Sequence, residues 1–496
     1  MNLLNEAWIP VQKDNAHQHI SLKGLLCHEE NWTVSLPRDD LEMACLELLI
    51  SLTQALFTPK DFDEWLNRQK TPLTESAYNQ QAERYRDWFD LDHKEHPFMQ
   101  TRGVEAQEIT PIQKLFVGLP EGQSSHAFFN PVGEISVACP SCIAISLFNN
   151  ASNAPSFGGG FKYPLRTNGT KVPITTLIYG DNLRLLIWRN VLRGETLDAV
   201  QPGWRERDRE DNPVWRDPIR PQQFWSDIGL KRGLFWQPIR LELDKPESAT
   251  RCDCCGEEIK EGYTGFYKQK FNFTVEGQWP HPLSPRQWEV KKDQRQESFL
   301  SFTTTAPAWT QLTQFVIEKK GEKEGHSPAP VVTQFGRLQG YGEPLYLLVG
   351  GYRNRQAAVL ERRHELFTLA QGWTEHGNDV AEIVNLGLEV KDALRGTLYG
   401  FSKTTGIARQ KEAEAQFYRR SEWLIHALLR EMDFKQFNAA RDRLARDLSK
   451  LALDIFEEQT APYQHRPEIY KSIALARAGL RAKFNKLKGD ENARAA

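Results

Sequence analysis

Two Cys-x-x-Cys knuckles stand more than a hundred positions apart, Cys139 with Cys142 and Cys252 with Cys255. No other feature constrains this chain as tightly. Together they supply the four thiolates of a closed tetrahedral zinc site, which leaves no coordination position for water or substrate. Such a metal staples two distant segments and does no chemistry. Each knuckle precedes an unusual element: Phe157-Gly158-Gly159-Gly160-Phe161-Lys162 follows the first, and Lys268-Gln269-Lys270 follows the second. The staple is expected to hold these two elements near one another. Cys27, Cys45 and Cys254 read as incidental thiols, and the cysteine usage fits a reducing cytoplasm better than a disulfide scaffold.

The 496 residues suffice for a large core and two domains. No apolar run reaches the roughly 20 residues of a membrane span, and the amino terminus lacks the basic region of a secretory signal. The most apolar stretch, 43–57, is interrupted by Glu47, Ser51, Thr53 and Gln54 and is expected to be a buried helix, opened by a capping box in Asp39-Asp40-Leu41-Glu42. A formal net charge of -2 excludes a globally basic nucleic-acid binder, so any such contact must come from local patches.

Along the chain, Trp8-Ile9-Pro10-Val11 reads as a strand, and 101–171 as loops on short elements. Residues 174–179 and 183–188 around Gly180-Asp181-Asn182 suggest a hairpin. The stretch 201–227 suggests an irregular excursion, and 319–330 a mobile loop. Residues 345–349 form a strand running into Gly350-Gly351, with a helix expected from about Ala357 that carries Glu361-Arg362-Arg363. Beyond residue 370 the periodicity changes to long amphipathic helices. Their stripes are Leu386, Val390, Leu394 and Leu398; Trp423, Leu424, Ala427 and Leu428; Leu444, Leu448, Ala452 and Ile455; and Ile473, Leu480 and Phe484. The expected fold is α+β: a large mixed domain with zinc-stapled loops over 1–370, then a four-helix bundle over 371–496.

Little in the sequence supports catalysis. There is no P-loop, nucleophile elbow or HExxH site, and His93-x-x-His96 lacks a third ligand. The triple glycine does not have nucleotide-loop spacing; its plain reading is a flexible turn. Yet three residues without Cβ let bare backbone approach a ligand closely, and a nearby lysine could reach the acceptors of a DNA minor groove.

In combination these segments resemble the CasA family, the large subunits of type I-E CRISPR surveillance complexes called Cascade. The resemblance is carried by Met1-Asn2-Leu3-Leu4, Trp8-Ile9-Pro10-Val11, Ser35-Leu36-Pro37-Arg38-Asp39-Asp40, His96-Pro97-Phe98-Met99-Gln100-Thr101, the glycine segment, Gly233-Leu234-Phe235-Trp236-Gln237-Pro238, Tyr263-Thr264-Gly265-Phe266, Trp279-Pro280-His281-Pro282, Gly350-Gly351-Tyr352-Arg353-Asn354 with Gln356, and Leu360-Glu361-Arg362-Arg363-His364. It runs essentially end to end.

The resemblance implies a noncatalytic, cytoplasmic subunit that reads the protospacer-adjacent motif (PAM) of double-stranded DNA, starts duplex opening for guide-RNA pairing and helps recruit a helicase-nuclease. The implied partners are the other Cascade subunits with guide RNA, target duplex and that helicase-nuclease, with no membrane. By motif, Gly158, Gly159 and Gly160 match the glycine loop, Lys270 the minor-groove lysine and Gln356 the wedge. Phe128, Phe129 and Asn130 match a loop meeting guide RNA, and Lys291 with Lys292 a basic patch for DNA. The sequence departs from the family pattern at Arg355, where an asparagine is usual beside the wedge and arginine would add phosphate attraction, and at Phe129, where an aliphatic residue is usual. Competing classes are a zinc-containing nuclease, which would need an open metal position or a carboxylate cluster, and a pure scaffold.

Overall fold

The structure is a computed structural model and describes residues 1–106, 108–120, 133–167, 171–210, 212–339 and 342–488. The chain forms two compact units. The first comprises Met1–Thr303, Lys319–Phe335 and Leu348–Glu365; the second comprises Thr304–Glu318, Gly336–Leu347 and Leu366–Ala496. Two segments that precede residue 370 thus belong with the helices that follow it.

The first unit is organised on the helix Asp39–Phe57, almost all of which is buried, Glu47, Ser51, Thr53 and Gln54 included. Its start corrects the expected capping box. Arg38 is the N-cap residue and makes no side-chain capping bond, while the Glu42 carboxylate accepts the Leu36 amide at 3.1 Å. Asp39, Asp40 and Glu42 in the first turn instead complement the helix dipole. Beside it runs a second buried helix, Pro140–Asn153, in the middle of the stretch read as loops. Proline at its first turn and Cys139 as its N-cap, accepting the Cys142 amide, define its start.

Glu47 is made tolerable by a partner from the segment after the glycine loop. Arg166 donates to Glu47 at 2.6 Å, with side-chain exposures of 3% and 2%. The same guanidinium reaches the Ser152 carbonyl, Thr175 and Ser284 and also Asn153, whose amide donates to Glu47. A buried pair survives when its remaining hydrogen-bonding capacity is filled, and here it is.

A three-stranded sheet in the order Ala358–Leu369, Leu345–Arg355, Ile174–Ile178 leans on the Asp39–Phe57 helix. Contact is so close that a Cβ on Gly350 would stand 2.1 Å from the Met43 sulfur, which is why a bare residue is needed there. Two expectations are corrected here. Residues 183–189 form a helix and not the second strand of a hairpin, because the Asn182 side chain captures the Leu185 amide and caps it. Downstream of Ala357 the chain returns as a strand and not a helix, so Glu361, Arg362 and Arg363 lie on Ala358–Leu369. Burial there has the two-residue period of a strand, with Arg363, Phe367 and Leu369 inward.

The supposed mobile loop at 319–330 is also ordered. Lys319–Lys320 and Glu324–Ser327 pair with each other and extend the hairpin Arg286–Lys291 and Gln294–Phe299 into a four-stranded sheet. The excursion at 201–227 contains the helix Trp204–Glu210 and a strand, Gln222–Phe224, paired in parallel with Thr274–Glu276.

The second unit contains the four long helices Gly377–Thr405, Gln410–Glu431, Phe437–Thr460 and Pro467–Lys488. The first, third and fourth stripes expected from the sequence are inward: Leu394 and Leu398, Leu448 and Ile455, Leu480 and Phe484 are all buried. The second is turned outward. Phe417, Ile425 and Leu429 make the inner face of Gln410–Glu431, whereas Trp423 is 66% exposed. The interior place of a tryptophan is filled by Trp309, which meets Tyr418 edge-on at 6.1 Å. Among the described residues no helix is long and apolar enough to cross a membrane.

Replacing Arg166 by Met should cost about 3–5 kcal/mol in a denaturant titration, because it strands a buried carboxylate. Adding Glu47→Leu should restore most of that loss; a double variant as unstable as the single one would contradict the pairing.

Candidate metal centre and nucleic-acid interface

Cys139, Cys142, Cys252 and Cys255 come together with all four sulfur atoms within 4.8 Å of one another. The Cys139 and Cys255 sulfurs are 3.8 Å apart, close to the edge of about 3.8 Å that four Zn–S bonds of roughly 2.3 Å require of a tetrahedron. Backbone prepares the site. Cys252 and Cys139 sulfurs accept the Cys139 and Cys142 amides at 3.3 and 3.4 Å, and the Asp253 carboxylate accepts the Ser136 and Val137 amides. The soft, buried, all-sulfur donor set fits a structural zinc ion, held by these four residues as thiolates.

The four cysteines converge where the sequence suggested. Ala138 bridges Tyr263 in antiparallel fashion, so the base of the Pro140–Asn153 helix is pinned to the start of the strand Gly265–Gln269. From there each element runs outward to a loop, the helix to Gly158–Gly160 and the strand to Lys270. Phe157 closes the gap. Its ring meets Phe161 at 5.9 Å and Phe266 at 6.1 Å, and the Lys268 ammonium lies 5.6 Å from its centroid.

Gly158, Gly159 and Gly160 have φ of 78°, 56° and 88°, a run of left-handed backbone that only glycine adopts without strain. Lys270 Nζ reaches the Gly159 carbonyl at 3.4 Å. A Cβ on Gly158 would lie 3.6 Å from Ala357 Cβ. The glycine loop, the lysine and the tip of the hairpin that carries Gln356 therefore share one small surface.

That tip is a two-residue turn, Gln356-Ala357, between Leu345–Arg355 and Ala358–Leu369. Gln356 is exposed with φ of 53°, and its carbonyl accepts the Asn354 amide at 2.6 Å. Arg355 is exposed beside it. The hairpin is braced from below by residues that no motif announced. Asn149 donates to the Tyr352 hydroxyl, which donates to Asp40, each at 2.8 Å. Asp40 takes a bidentate pair from Arg38 at 3.0 and 2.8 Å and Arg362 at 3.1 Å. Burial opposes the Asp40 charge, but the hydrogen-bonded Arg38, with Arg362 nearby, holds its carboxyl below the usual range. Around this network Val117, Ala154, Val172 and Tyr352 make a small apolar cluster under the loop and the hairpin.

Lys291 and Lys292 occupy the tip of a separate hairpin, at the turn between Arg286–Lys291 and Gln294–Phe299. Both are exposed, and Lys291 pairs with Glu289 at 2.5 Å. Phe128, Phe129 and Asn130 lie outside the described residues.

Comparison with solved structures places this architecture among CRISPR-associated proteins. Cse1 from Thermobifida fusca superposes with a TM-score of 0.77 at 18% identity, covering 98% of this chain and 97% of that one. Cse1 from Acidimicrobium ferrooxidans gives 0.76 at 18%, covering 99% of each, and Thermus thermophilus CasA (Cse1) gives 0.73 at 18%, covering 97% and 99%. A chain of a CRISPR RNA-guided surveillance complex matches with a TM-score of 0.69 at 15% identity, covering 97% and 99%. The family model for CRISPR-associated protein Cse1 matches residues 2–455, and the chain belongs to that family.

Purified protein should carry one zinc per chain by elemental analysis, and Cys142→Ser should lose it together with several degrees of thermal stability. A zinc-free wild-type chain as stable as the metal-loaded one would exclude the staple. The Asp40 contribution follows from its lowered pKa: it is complete above the unfolded aspartate range and is lost as pH falls through the lower folded value. Asp40→Asn should therefore lower stability at neutral pH and flatten the acid limb of the stability profile; an unchanged acid limb would remove Asp40 from the account.

Proposed function

We propose that this chain is the noncatalytic subunit of an RNA-guided surveillance complex that reads the PAM of double-stranded DNA from the minor groove and begins strand separation. One observation carries the reading: Gly159, Lys270 and the Gln356 tip lie on one surface, within reach of a single short stretch of duplex. Family membership and the fold shared with a surveillance-complex chain support it.

In this reading bare peptide at Gly158–Gly160 approaches the groove floor, and Lys270 exchanges its long contact with the Gly159 carbonyl for base-edge acceptors. The minor groove separates A·T from G·C pairs but little more, so tolerance of several related motifs is expected. Gln356 then enters the base stack as a wedge, an insertion that costs a few kcal/mol per step, while Arg355 attracts phosphate. Lys291 and Lys292 guide the incoming duplex, and Phe128, Phe129 and Asn130 meet guide RNA. The cysteine site, the Asp40 network and the Glu47–Arg166 pair hold these parts in place. Partner subunits and recruitment of the helicase-nuclease belong to the same reading.

In the assembled complex Lys270→Ala should weaken binding to motif-bearing duplex by about tenfold or more, and binding to a pre-melted target far less. Gln356→Ala should leave initial association intact and slow R-loop formation. Equal losses of Lys270→Ala on both substrates, or unaltered opening by Gln356→Ala, would defeat the respective assignment.

A further inference from the structure

A cavity of about 790 Å³ lies beside the segment 162–167 that leads out of the glycine loop, and neither the metal centre nor the duplex-reading surface uses it. Its volume falls in the roughly 300–1,000 Å³ range of small-molecule sites. Its wall carries three cations and one carboxylate: Lys162, Arg286, Arg295 and Glu297. Glu297 is shared, at 2.6 Å from Arg295 and 3.8 Å from Arg286. Lys162 lies over the Phe273 ring at 5.8 Å and has no carboxylate partner among the described residues. Among the described residues the wall therefore carries two more positive than negative side chains.

Two buried polar groups on it, Arg286 Nε and the Thr167 hydroxyl, have no hydrogen-bond partner among the described residues. Buried donors are ordinarily satisfied by protein or water, so these two are donors that a ligand in the cavity can meet. Beside the charges stand the rings of Tyr163, Trp225 and Phe273, Tyr163 being 37% exposed. Excess positive charge next to flat apolar faces suits a ligand that joins an anion to an aromatic ring.

We propose that this cavity binds a nucleoside phosphate, with Arg286 and Lys162 on the phosphate, Thr167 as a hydroxyl partner and the exposed Tyr163 ring against the base. The assignment is independent of duplex reading, since it requires neither the glycine loop nor Gln356. Two sources offer this chemistry, a free mononucleotide or one unit of a single strand.

The test is calorimetric titration of the purified full-length chain with deoxyadenosine 5′-monophosphate, deoxyadenosine and inorganic phosphate. The monophosphate should bind, with the nucleoside and phosphate alone each weaker by about tenfold or more. Arg286→Met, checked for folding by circular dichroism, should weaken the monophosphate by a similar factor; Tyr163→Ala, at an exposed position, should weaken it severalfold and leave phosphate unaffected. A penta-deoxyadenylate that competes with the monophosphate, sensitive to Arg286→Met, identifies the strand as source. Exclusion of the pentanucleotide with retained monophosphate binding identifies the free nucleotide. No heat with the monophosphate up to about 1 mM, or binding indifferent to both variants, overturns the proposal. So does phosphate that binds as tightly as the monophosphate, which would mark a simple anion site.

Discussion

The first unit depends on one ion pair in its interior. Glu47 comes from the long buried helix, and Arg166 from the chain just beyond the glycine loop. Two charges removed from water are unfavourable unless every remaining donor and acceptor is used. The other contacts of Arg166 fall on the end of the Pro140–Asn153 helix, on the strand Ile174–Ile178 and on the turn at 281–284. Four pieces of backbone are thus brought to one guanidinium. Burial and the neighbouring Arg166 cation keep the His281 imidazole well below its ordinary pKa, so it remains a neutral acceptor and adds no competing charge.

Seen from that pair, the glycine loop is a span fixed at both ends. Upstream, the cysteine cluster anchors the helix that leads into it; downstream, Arg166 anchors the chain that leaves. Between them lie three left-handed glycines that pack little of their own. Lys270 meets the loop because its strand starts at the same cysteine anchor, and the hairpin meets it through Tyr352 and Asp40. Precision at an exposed surface is obtained from supports placed several residues back from it, which is how sites on loops become rigid.

Much of this was legible in the residues. The double knuckle gave a spatial constraint no propensity could, and the apolar stripes gave the helices of the second unit. What escaped has identifiable physical causes. Asn182 acts as a cap through its side chain, and a reading based on apolar runs alone missed it. Charged side chains at Glu361, Arg362 and Arg363 imitated a solvated helix because their alternation was masked by cross-strand pairing, Arg353 with Glu361 at 2.7 Å. The Trp423 stripe faces outward, while the buried tryptophan of this unit, Trp309, comes from more than a hundred positions earlier. Tyr352, Asn149 and Asp40 are ordinary residues until the fold joins them.

Gly350 carries a mechanical consequence. The notch it leaves receives the Met43 thioether, and a slip of two positions would drive Leu348 or Tyr352 into a helix with no space for either. The strand is indexed to its neighbour like a graduated rod against a stop. Gln356 stands six positions beyond that stop, about 20 Å at the usual rise. How far the tip projects is therefore a length set at its root.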